Sequence, residues 1–265
     1  MMPKEKKLLS AIQSIGSMVI AFSGGVDSSL VAKAASKALP KENVLLVTAN
    51  SGSLGEGELE NCEKLSIAWG VDWMSVKTNE FENNQYLANQ ADRCWWCKSA
   101  LMDQLEPIAS QRNASVVLGV NADDLGDHRP GQEAAKSRGA RFPLVEAGMT
   151  KANVRDLSQQ WGLSVWDRPS MPCLSSRIPY DTKITIQLLS RVDRAENILR
   201  KKGLLDVRVR HYGDTARIEV PRNDMQKLMD HAEEINAEFI ELGYKYITLD
   251  LAGLRSGNLN SALKL

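Results

Sequence analysis

A glycine-rich stretch near the start of the chain has the composition of a phosphate-binding loop. Residues 23–29 read SGGVDSS, between an apolar run and a helical pattern. Gly24 and Gly25 allow a tight turn and a close approach to an anion. The backbone N–H groups that follow, at the start of a helix, can bind pyrophosphate. Ser23, Ser28 and Ser29 can add hydroxyl donors, and we expect Ser23 and Ser28 to contact a bound nucleotide.

Carboxylate side chains occur inside this loop and again after a later apolar run. Asp27 would be a poor contact for phosphate, so we expect it either to cap the following helix or to bind a phosphate-bound Mg²⁺. Residues 121–131, NADDLGDHRPG, carry Asp123, Asp124 and Arg129. We expect these three side chains to contact a nucleotide, its metal ion or a second substrate. A solvated loop with a helix cap would have the same composition.

Three of the four cysteines are placed where they could bind a metal or react. Cys94 and Cys97 form a CxxC motif, and Cys173 lies in a proline-rich stretch much later in the chain. A CxxC motif alone is compatible with a redox pair, half of a zinc site or part of an iron–sulfur site. Three thiolates can hold three irons of a cubane and leave the fourth open, but spacing alone leaves independent cysteines equally open. Cys62 falls inside a helical pattern and is expected to be a packing residue.

The pattern of elements places these motifs at one edge of a sheet. In a first domain, residues 1–172, apolar runs typical of buried parallel strands alternate with helical patterns, which predicts a doubly wound parallel α/β sheet. Ligands of such sheets bind at the carboxyl ends of the strands, where the glycine-rich loop and the acidic residues fall. The predicted strands are 18–22, 44–49, 73–76 and 115–120, and the predicted helices are 28–38, 56–69, 98–111 and 151–161.

A smaller C-terminal α+β domain is predicted over residues 173–265. The connection that leads into it, residues 167–181, holds three prolines in fifteen residues and is expected to be extended. The predicted helices of this domain are 184–202 and 223–242, and its predicted strands are 207–212, 215–220 and 246–251.

The composition excludes several classes of protein. Lys plus Arg and Asp plus Glu each number 33, so the formal net charge is zero, which argues against a broad nucleic-acid-binding surface. No apolar run approaches the roughly 20 residues of a membrane helix, and polar residues interrupt the N-terminal stretch, so neither a membrane partner nor a signal peptide is predicted. We expect a cytoplasmic protein, in which four cysteines do not indicate a disulfide scaffold.

The string SGGVDSS resembles the loop of the PP-loop ATP pyrophosphatases, which cleave ATP between the α and β phosphates. Over nearly its whole length the chain resembles one family of that superfamily, the LarE family of ATP-dependent sulfur transferases. The first motif is shared with many PP-loop enzymes, whereas the later ones are far more specific. The motifs are SGGVDSSL, RCWWCK, NADDLGDHRPG, RFPLVEAG, WDRPSMPCLSSRIPY, RVRHYGDTARIEV and AGLRSG.

The resemblance implies a reaction. ATP with Mg²⁺ would adenylate a carboxylate of pyridinium-3,5-biscarboxylic acid mononucleotide, and sulfur would replace AMP to give a thiocarboxylate for the nickel-pincer nucleotide cofactor. Some family members donate the sulfur of a lone inter-domain cysteine, whereas members with three cysteines hold a 4Fe–4S cluster whose open iron binds sulfide. Cys94, Cys97 and Cys173 imply the second type, with sulfide or another sulfur donor as a partner. The family also implies a homo-oligomer, a hexamer.

The second domain is expected to bind the substrate nucleotide, whose phosphate needs cations. Arg208 and Arg210 alternate onto one face of a predicted strand, and Glu219 on its partner strand could orient an Arg. The resemblance carries these three residues over to substrate binding; otherwise an arginine pair on a strand is a solvated face. Further residues that the resemblance carries over, with less support, are Ser176, Arg177, Glu196 and Arg255.

Other functions remain compatible with the sequence. A PP-loop ligase that forms an amide would not need Cys173 or a cluster, and sulfur donation from Cys173 itself would leave dehydroalanine at that position. A PP-loop tRNA thiolase would also use CxxC, but the zero net charge argues against it. An ATP-binding regulatory module with a structural metal would release no pyrophosphate.

Overall fold

The protein divides into two compact units. The first is built from residues 1–83 and 92–171, and the second from residues 84–91 and 172–265. A computed structural model of the protein describes residues 3–126, 130–169, 172–255 and 258.

The first unit is a four-stranded sheet with helices on both faces. The strand order is β3-β2-β1-β4, and neighbouring strands are parallel. The predicted doubly wound parallel α/β sheet is therefore confirmed. Its strands are β1 (Met18–Ala21), β2 (Val44–Asn50), β3 (Asp72–Lys77) and β4 (Ser115–Leu118). Its helices are α1 (Pro3–Ile15), α2 (Val26–Ala38), α3 (Glu58–Trp69), α5 (Arg93–Gln111), α6 (Pro130–Ser137), α7 (Pro143–Glu146) and α8 (Lys151–Gln160), and α4 (Asn84–Leu87) lies in the second unit.

Both faces of the central strand β1 are buried. Met18 and Ile20 pack into one apolar cluster with Leu30 of α2. Val19 points to the opposite face and packs with Met102 of α5. Because helices cover both faces, β1 is continuously apolar instead of alternating, which explains why its sequence lacks a two-residue period.

Four helices of this unit differ from the sequence prediction, because α1, α6 and α7 were not predicted and α5 begins earlier than expected. Helix α5 begins at Arg93 and not near residue 98, so the CxxC motif forms part of its first turn. The lysine-rich sequence of α1 is compatible with a helix, since lysine is a good helix former. Helix α1 is stabilised by packing on α2 and α7, since Leu8 and Ile12, one turn apart, are fully buried in the apolar core.

The second unit is built around a three-stranded sheet of order β5-β6-β7, in which β5 and β6 are antiparallel and β6 and β7 are parallel. The predicted single helix 223–242 is wrong, because the chain leaves the helical conformation at His231 and forms two helices. Leu228 before this break and Ile235 after it enter the same apolar core. Its strands are β5 (Arg208–Tyr212), β6 (Thr215–Glu219) and β7 (Tyr246–Leu249), and its further helices are α9 (Ile186–Lys201), α10 (Met225–Asp230) and α11 (Ala232–Glu241).

Residues 84–91 pack with the second unit, whereas the sequence assigned them to the first domain. The Tyr86 hydroxyl lies 2.6 Å from Ser175 Oγ. The Asn89 amide donates hydrogen bonds to the carbonyls of Ile178, Pro179 and Thr182 at 3.3, 2.7 and 3.1 Å. These polar contacts join positions some 90 residues apart, which no local pattern reveals. Within the described ranges, no helix is long and apolar enough to cross a membrane.

We expect Asn89 to hold the segment that follows Cys173. Asn89 is fully buried and adopts a left-handed backbone conformation, φ 56°. Asn89→Gly removes only the amide bonds and should cost about 1–3 kcal/mol, and Asn89→Ala should add about 1–2 kcal/mol of backbone strain. Hydrogen exchange followed by mass spectrometry should show faster exchange at Asp181 and Ile184, more so in the alanine variant. Wild-type protection in both variants would contradict this role.

Candidate functional site

The glycine-rich loop turns sharply between β1 and α2. Gly24 has φ 68°, and a Cβ atom there would lie 3.0 Å from Asn61 Nδ2 and 3.1 Å from Cys62 Sγ. Conformation and crowding both require glycine at this position. Gly25 is the N-cap of α2 and supplies no side chain, so the first N–H groups of the helix are left for an anion.

Two hydroxyls line the loop. Ser28 Oγ accepts from Ser23 N at 3.3 Å, donates to the Gly25 carbonyl at 3.1 Å and lies 3.2 Å from Ser23 Oγ. Ser23 Oγ in turn accepts from Gly25 N at 3.4 Å. These long hydrogen bonds hold donor groups that can reorient toward a phosphate oxygen. Ser29, by contrast, is fully buried.

Asp27 does not cap α2, so that part of the sequence prediction is wrong. It lies in the first turn of the helix, and Gly25 occupies the cap position. Its Oδ1 accepts from Asn121 Nδ2 at 3.1 Å, and its Oδ2 forms an ion pair with Lys151 Nζ. Asn121 also donates to Asp124 Oδ2 at 2.8 Å. The two carboxylates therefore share one amide, and both lie at the carboxyl ends of β1 and β4.

The acidic residues after β4 are partly confined by backbone contacts. Asp123 is exposed, and its Oδ2 accepts from the Lys151 N–H at 2.8 Å. Asp124 is half-buried and its Oδ2 accepts from the Asn121 N–H at 3.1 Å. Arg129, which the sequence analysis assigned to nucleotide binding, lies outside the described residues. Sequence reasoning missed Asn121 and Lys151, although Asn121 directly precedes the acidic stretch.

Gly119 is a further residue that sequence reasoning missed. A Cβ atom at this position would lie 2.6 Å from Ser28 N and 2.8 Å from the Asp27 carbonyl carbon. The backbone after β4 therefore touches the first turn of α2 directly. In the strand order of this sheet, β1 and β4 flank the point where the connections reverse, which is where ligands of such sheets bind.

The CxxC motif occupies the first turn of α5. Cys94 is exposed and Cys97 is half-buried. Spaced three residues apart on a helix, the two thiols lie on the same side of it. The Arg93 guanidinium donates to Cys94 Sγ at 3.7 Å. Gly131 of α6 packs so closely that a Cβ there would lie 2.8 Å from the Cys94 carbonyl oxygen.

Cys62 is a packing residue, as predicted. It is fully buried in the apolar core behind the phosphate loop. Burial raises the pKa of its thiol to about 11, so the thiol is protonated at neutral pH. It is not available as a metal ligand in this state.

In the second unit, Cys173 lies exposed at the start of a short 3₁₀ helix, Leu174–Arg177. Arg177 is buried and donates to both carboxylate oxygens of Glu196, at 2.7 and 3.0 Å. Its Nη1 also donates to the Pro172 carbonyl at 2.6 Å and to Ser176 Oγ at 3.0 Å. Glu196 thus holds Arg177, and Arg177 in turn holds the Pro172 carbonyl before Cys173 and the Ser176 hydroxyl after it.

Arg208 and Arg210 are buried, with 8% and 3% exposure, so the alternative of a solvated strand face is wrong. Arg210 donates to Glu219 Oε2 at 2.8 Å and to the Ser176 carbonyl at 2.6 Å. Arg208 donates to the Arg255 carbonyl at 3.2 Å, and within the described chain it has no carboxylate at ion-pair distance. Burial, with Arg177 and Arg210 nearby, lowers the pKa of Arg208.

The second unit therefore brings together most of the residues that were predicted to bind substrate. Three buried guanidinium groups face two buried carboxylates, and Arg208 Nε is a buried donor without a partner in the described residues. A buried cation in this state favours binding of an anion such as phosphate. The Arg255 side chain is exposed, and only its carbonyl joins the group. Residues of this cluster are Ser176, Arg177, Glu196, Arg208, Arg210 and Glu219.

In the part of the chain that the structure describes, no group of three or more His, Cys, Asp or Glu side chains is arranged to hold a metal ion. Two of the predicted cluster ligands, Cys94 and Cys97, belong to the first unit, and Cys173 belongs to the second. The paired, accessible thiols of the CxxC turn are donors of the type that iron–sulfur clusters use.

Comparison with known proteins agrees with this geometry. A family model for NAD synthase matches residues 5–90, which include the phosphate loop. The chain is 45% identical to an uncharacterized protein of Synechocystis sp., over 98% of both chains. It is 34% identical to pyridinium-3,5-bisthiocarboxylic acid mononucleotide synthase of Lactiplantibacillus plantarum, over 98% of this chain and 95% of that one. An uncharacterized protein of Methanocaldococcus jannaschii is 26% identical over 90% of this chain.

The phosphate loop, the parallel sheet and the NAD synthase match define an ATP-using enzyme of the PP-loop class. Within that class, the chain belongs to the LarE family, the family of pyridinium-3,5-bisthiocarboxylic acid mononucleotide synthase.

Gly119→Ala should displace the first turn of α2, because its Cβ cannot fit 2.6 Å from Ser28 N. We expect ATP affinity, measured by calorimetry with Mg²⁺, to fall at least about tenfold, equivalent to roughly 1.4 kcal/mol. Val120→Ala is the matched control, since it removes buried volume next door, costs about 1–3 kcal/mol of stability and leaves the loop in place. Equal ATP affinity in Gly119→Ala and wild type would refute the claim that the close packing of Gly119 on Ser28 positions the loop for ATP.

The raised pKa of Cys62 predicts a stability change in alkali. The thiol has an ordinary pKa of 9.0 when unfolded and about 11 when folded, so its contribution is intact below pH 9 and is lost as the pH rises toward 11. The loss should approach about 3 kcal/mol. Urea unfolding followed by tryptophan fluorescence reports the first unit, which holds all six tryptophans.

Cys62→Ala is the control for this titration. It should be less stable than wild type at pH 7 because it leaves a cavity, but its stability should fall less between pH 9 and 11. Parallel pH profiles for the two proteins would show that Cys62 does not carry the effect.

Proposed function

We propose that this protein is an ATP-dependent sulfur transferase that acts on pyridinium-3,5-biscarboxylic acid mononucleotide. The observation that carries the proposal is the buried Arg208, a guanidinium without a carboxylate partner in the described chain. The same chain also carries a phosphate loop, in its first unit. The end-to-end similarity to a synthase of the corresponding bisthiocarboxylic acid supports the choice of substrate. The phosphate loop would bind ATP, and the arginine cluster would bind the phosphate of the substrate.

The first chemical step activates a carboxylate. A carboxylate oxygen of the substrate attacks the α-phosphorus of ATP, the bond to the β-phosphate breaks, and pyrophosphate leaves. Ser23, Ser28 and the N–H groups at the start of α2 stabilise the charge that builds up on pyrophosphate. Asp27, with Asp124 close by, would hold Mg²⁺ on the phosphates, and Lys151 would then exchange its partner on Asp27 for a phosphate oxygen.

The second step forms the thiocarboxylate. A sulfur nucleophile attacks the acyl carbon of the adenylate, AMP leaves, and the carbon–sulfur bond replaces the carbon–oxygen bond. The chain must mainly hold these two groups in contact and exclude water. In the second unit, Glu219 pairs with Arg210, so the Arg208 guanidinium is left to bind and orient the substrate phosphate.

Cys94, Cys97 and Cys173 would hold a 4Fe–4S cluster. When bound, the cluster supplies an open iron that can carry the transferred sulfide. The thiols of the CxxC turn are accessible on one helical turn, and the Arg177–Glu196 pair fixes the backbone beside Cys173. Residues 84–91 pack in the same unit as Cys173, and the chain reaches Cys94 three residues later. An external sulfur donor would allow repeated turnover. The active form would be a homo-oligomer of this chain.

Sulfur donation by Cys173 itself is the second candidate. Its exposure favours this chemistry, because a sacrificial thiol must reach the adenylate. The two sulfur sources predict different stoichiometries. Sacrificial donation stops after one sulfur per chain, and external donation does not.

Anaerobic assays with ATP, Mg²⁺ and the pyridinium mononucleotide test the proposal. Pyrophosphate release should depend on this substrate, and mass spectrometry should detect the thiocarboxylate. Cys173→Ala should release pyrophosphate but form no thiocarboxylate. Arg208→Met should raise the KM for the substrate at least about tenfold and leave ATP affinity unchanged, because it removes only a charged hydrogen bond in the second unit.

The same assays separate the sulfur sources. The proposal expects about four irons per chain after reconstitution, and product beyond one equivalent only when sulfide is added. Dehydroalanine at position 173, with product stopping at one equivalent, would establish the sacrificial route. Pyrophosphate release that is independent of the mononucleotide would refute the proposed substrate, and full activity of Cys173→Ala with ammonia would indicate a ligase.

A further inference from the structure

Arg168 contacts the phosphate loop from a position 144 residues away from Gly24 in the chain. Its Nη1 donates to the Gly24 carbonyl at 3.3 Å, and its Nη2 donates to Glu58 Oε1 at 2.5 Å. Glu58 is the first residue of α3. Both side chains are largely buried, with exposures of 24% for Arg168 and 14% for Glu58. One guanidinium therefore bridges the loop and α3.

The position of this guanidinium is fixed from its own backbone as well. The Arg168 N–H donates to the Val165 carbonyl at 3.2 Å. Arg155 of α8 donates through Nη2 to the Arg168 carbonyl at 3.2 Å. The side chain thus extends from an anchored segment toward the loop. It is held at both ends before any ligand binds.

The contact matters because of the peptide unit that it holds. In a trans peptide the C=O of Gly24 and the N–H of Gly25 point in opposite directions. Arg168 binds the carbonyl, so the Gly25 N–H is directed to the other side, toward Ser23 Oγ at 3.4 Å. A peptide between two glycines can rotate at little steric cost. Without an external anchor, its N–H would not stay directed at the anion.

We propose that Arg168 is a positioning residue for the phosphate loop: it sets the orientation of the Gly24–Gly25 peptide, and Glu58 orients Arg168. The inference rests on the proposed function only in that the loop binds the phosphates of ATP. It adds that the affinity for pyrophosphate groups depends on a contact made to a carbonyl of the loop. Asn61, packed against Gly24, limits the movement of the loop from the same side.

The charge of Glu58 separates this role from simple charge neutralisation. If Arg168 only attracted the anion, Glu58→Gln would remove a nearby negative charge and strengthen pyrophosphate binding. If Arg168 positions the peptide, the same substitution releases the guanidinium and weakens binding. The two models therefore predict opposite changes in pyrophosphate affinity for Glu58→Gln.

The experiment measures Mg²⁺-pyrophosphate binding by calorimetry in the full chain. Glu58→Gln and Arg168→Lys should each weaken binding by about tenfold, since an ammonium cannot span two acceptors as a planar fork does. Arg141→Lys and Glu146→Gln are matched controls, because this bidentate pair in the same unit is exposed. The control variants should bind within about twofold of wild type. Hydrogen exchange at Gly25 should accelerate in the two loop variants only.

The outcomes are distinguishable. Unchanged or tighter binding by Glu58→Gln, with wild-type exchange at Gly25, would overturn the positioning role and leave the proposed function intact. Binding of neither ATP nor pyrophosphate by the wild-type protein would overturn both. If Arg168→Lys does not fold, Glu58→Gln and its exchange pattern still decide the question.

Discussion

The close approach between the start of α2 and the ends of β1 and β4 is the constraint on which the nucleotide site depends. Gly119 has no room for a Cβ atom because the first turn of α2 lies against it, and Gly24, in the loop after β1, is crowded in the same way by α3. This packing brings the N-terminus of α2 to the point where the strand order reverses. Asp27, Asn121 and the loop hydroxyls acquire their positions from it. The topology of the parallel sheet therefore places the nucleotide site, and backbone groups contribute more to it than side chains do.

The second unit differs from the first in that it buries a cluster of charged side chains. Removing charged groups from water is costly unless they are paired and hydrogen-bonded. Glu196 meets this requirement with Arg177, with Arg200 at 2.6 Å and with the Val209 N–H at 3.1 Å. Arg208 lacks such a partner in the described chain, which makes it the member of the cluster best suited to an anionic ligand. Arg177 and Arg200 thus stabilise the buried Glu196, whereas the neighbouring Arg208 is suited to binding an anion.

Much of the architecture could be predicted from local patterns. The four strands of the first unit and the β5–β6 hairpin follow apolar runs and a Gly-Asp turn, and a strand-to-helix glycine pair marks the phosphate loop. The predicted helix at 223–242 was wrong because the break at His231 serves tertiary packing. The cap role of Asp27 was wrong because Lys151 and Asn121, more than 90 residues away, bind its carboxylate instead.

The sequence by itself determined the class of fold, the phosphate loop, the family and the arginines of the second unit, because short-range spacing encodes each of them. Only the tertiary structure decided that 84–91 packs beside the Cys173 segment, that Arg208 has no carboxylate partner among the described residues, and that Arg168 donates to the Gly24 carbonyl. These features are contacts between residues far apart in the chain. Burial and geometry, and not residue type, decide which partner each polar group finds.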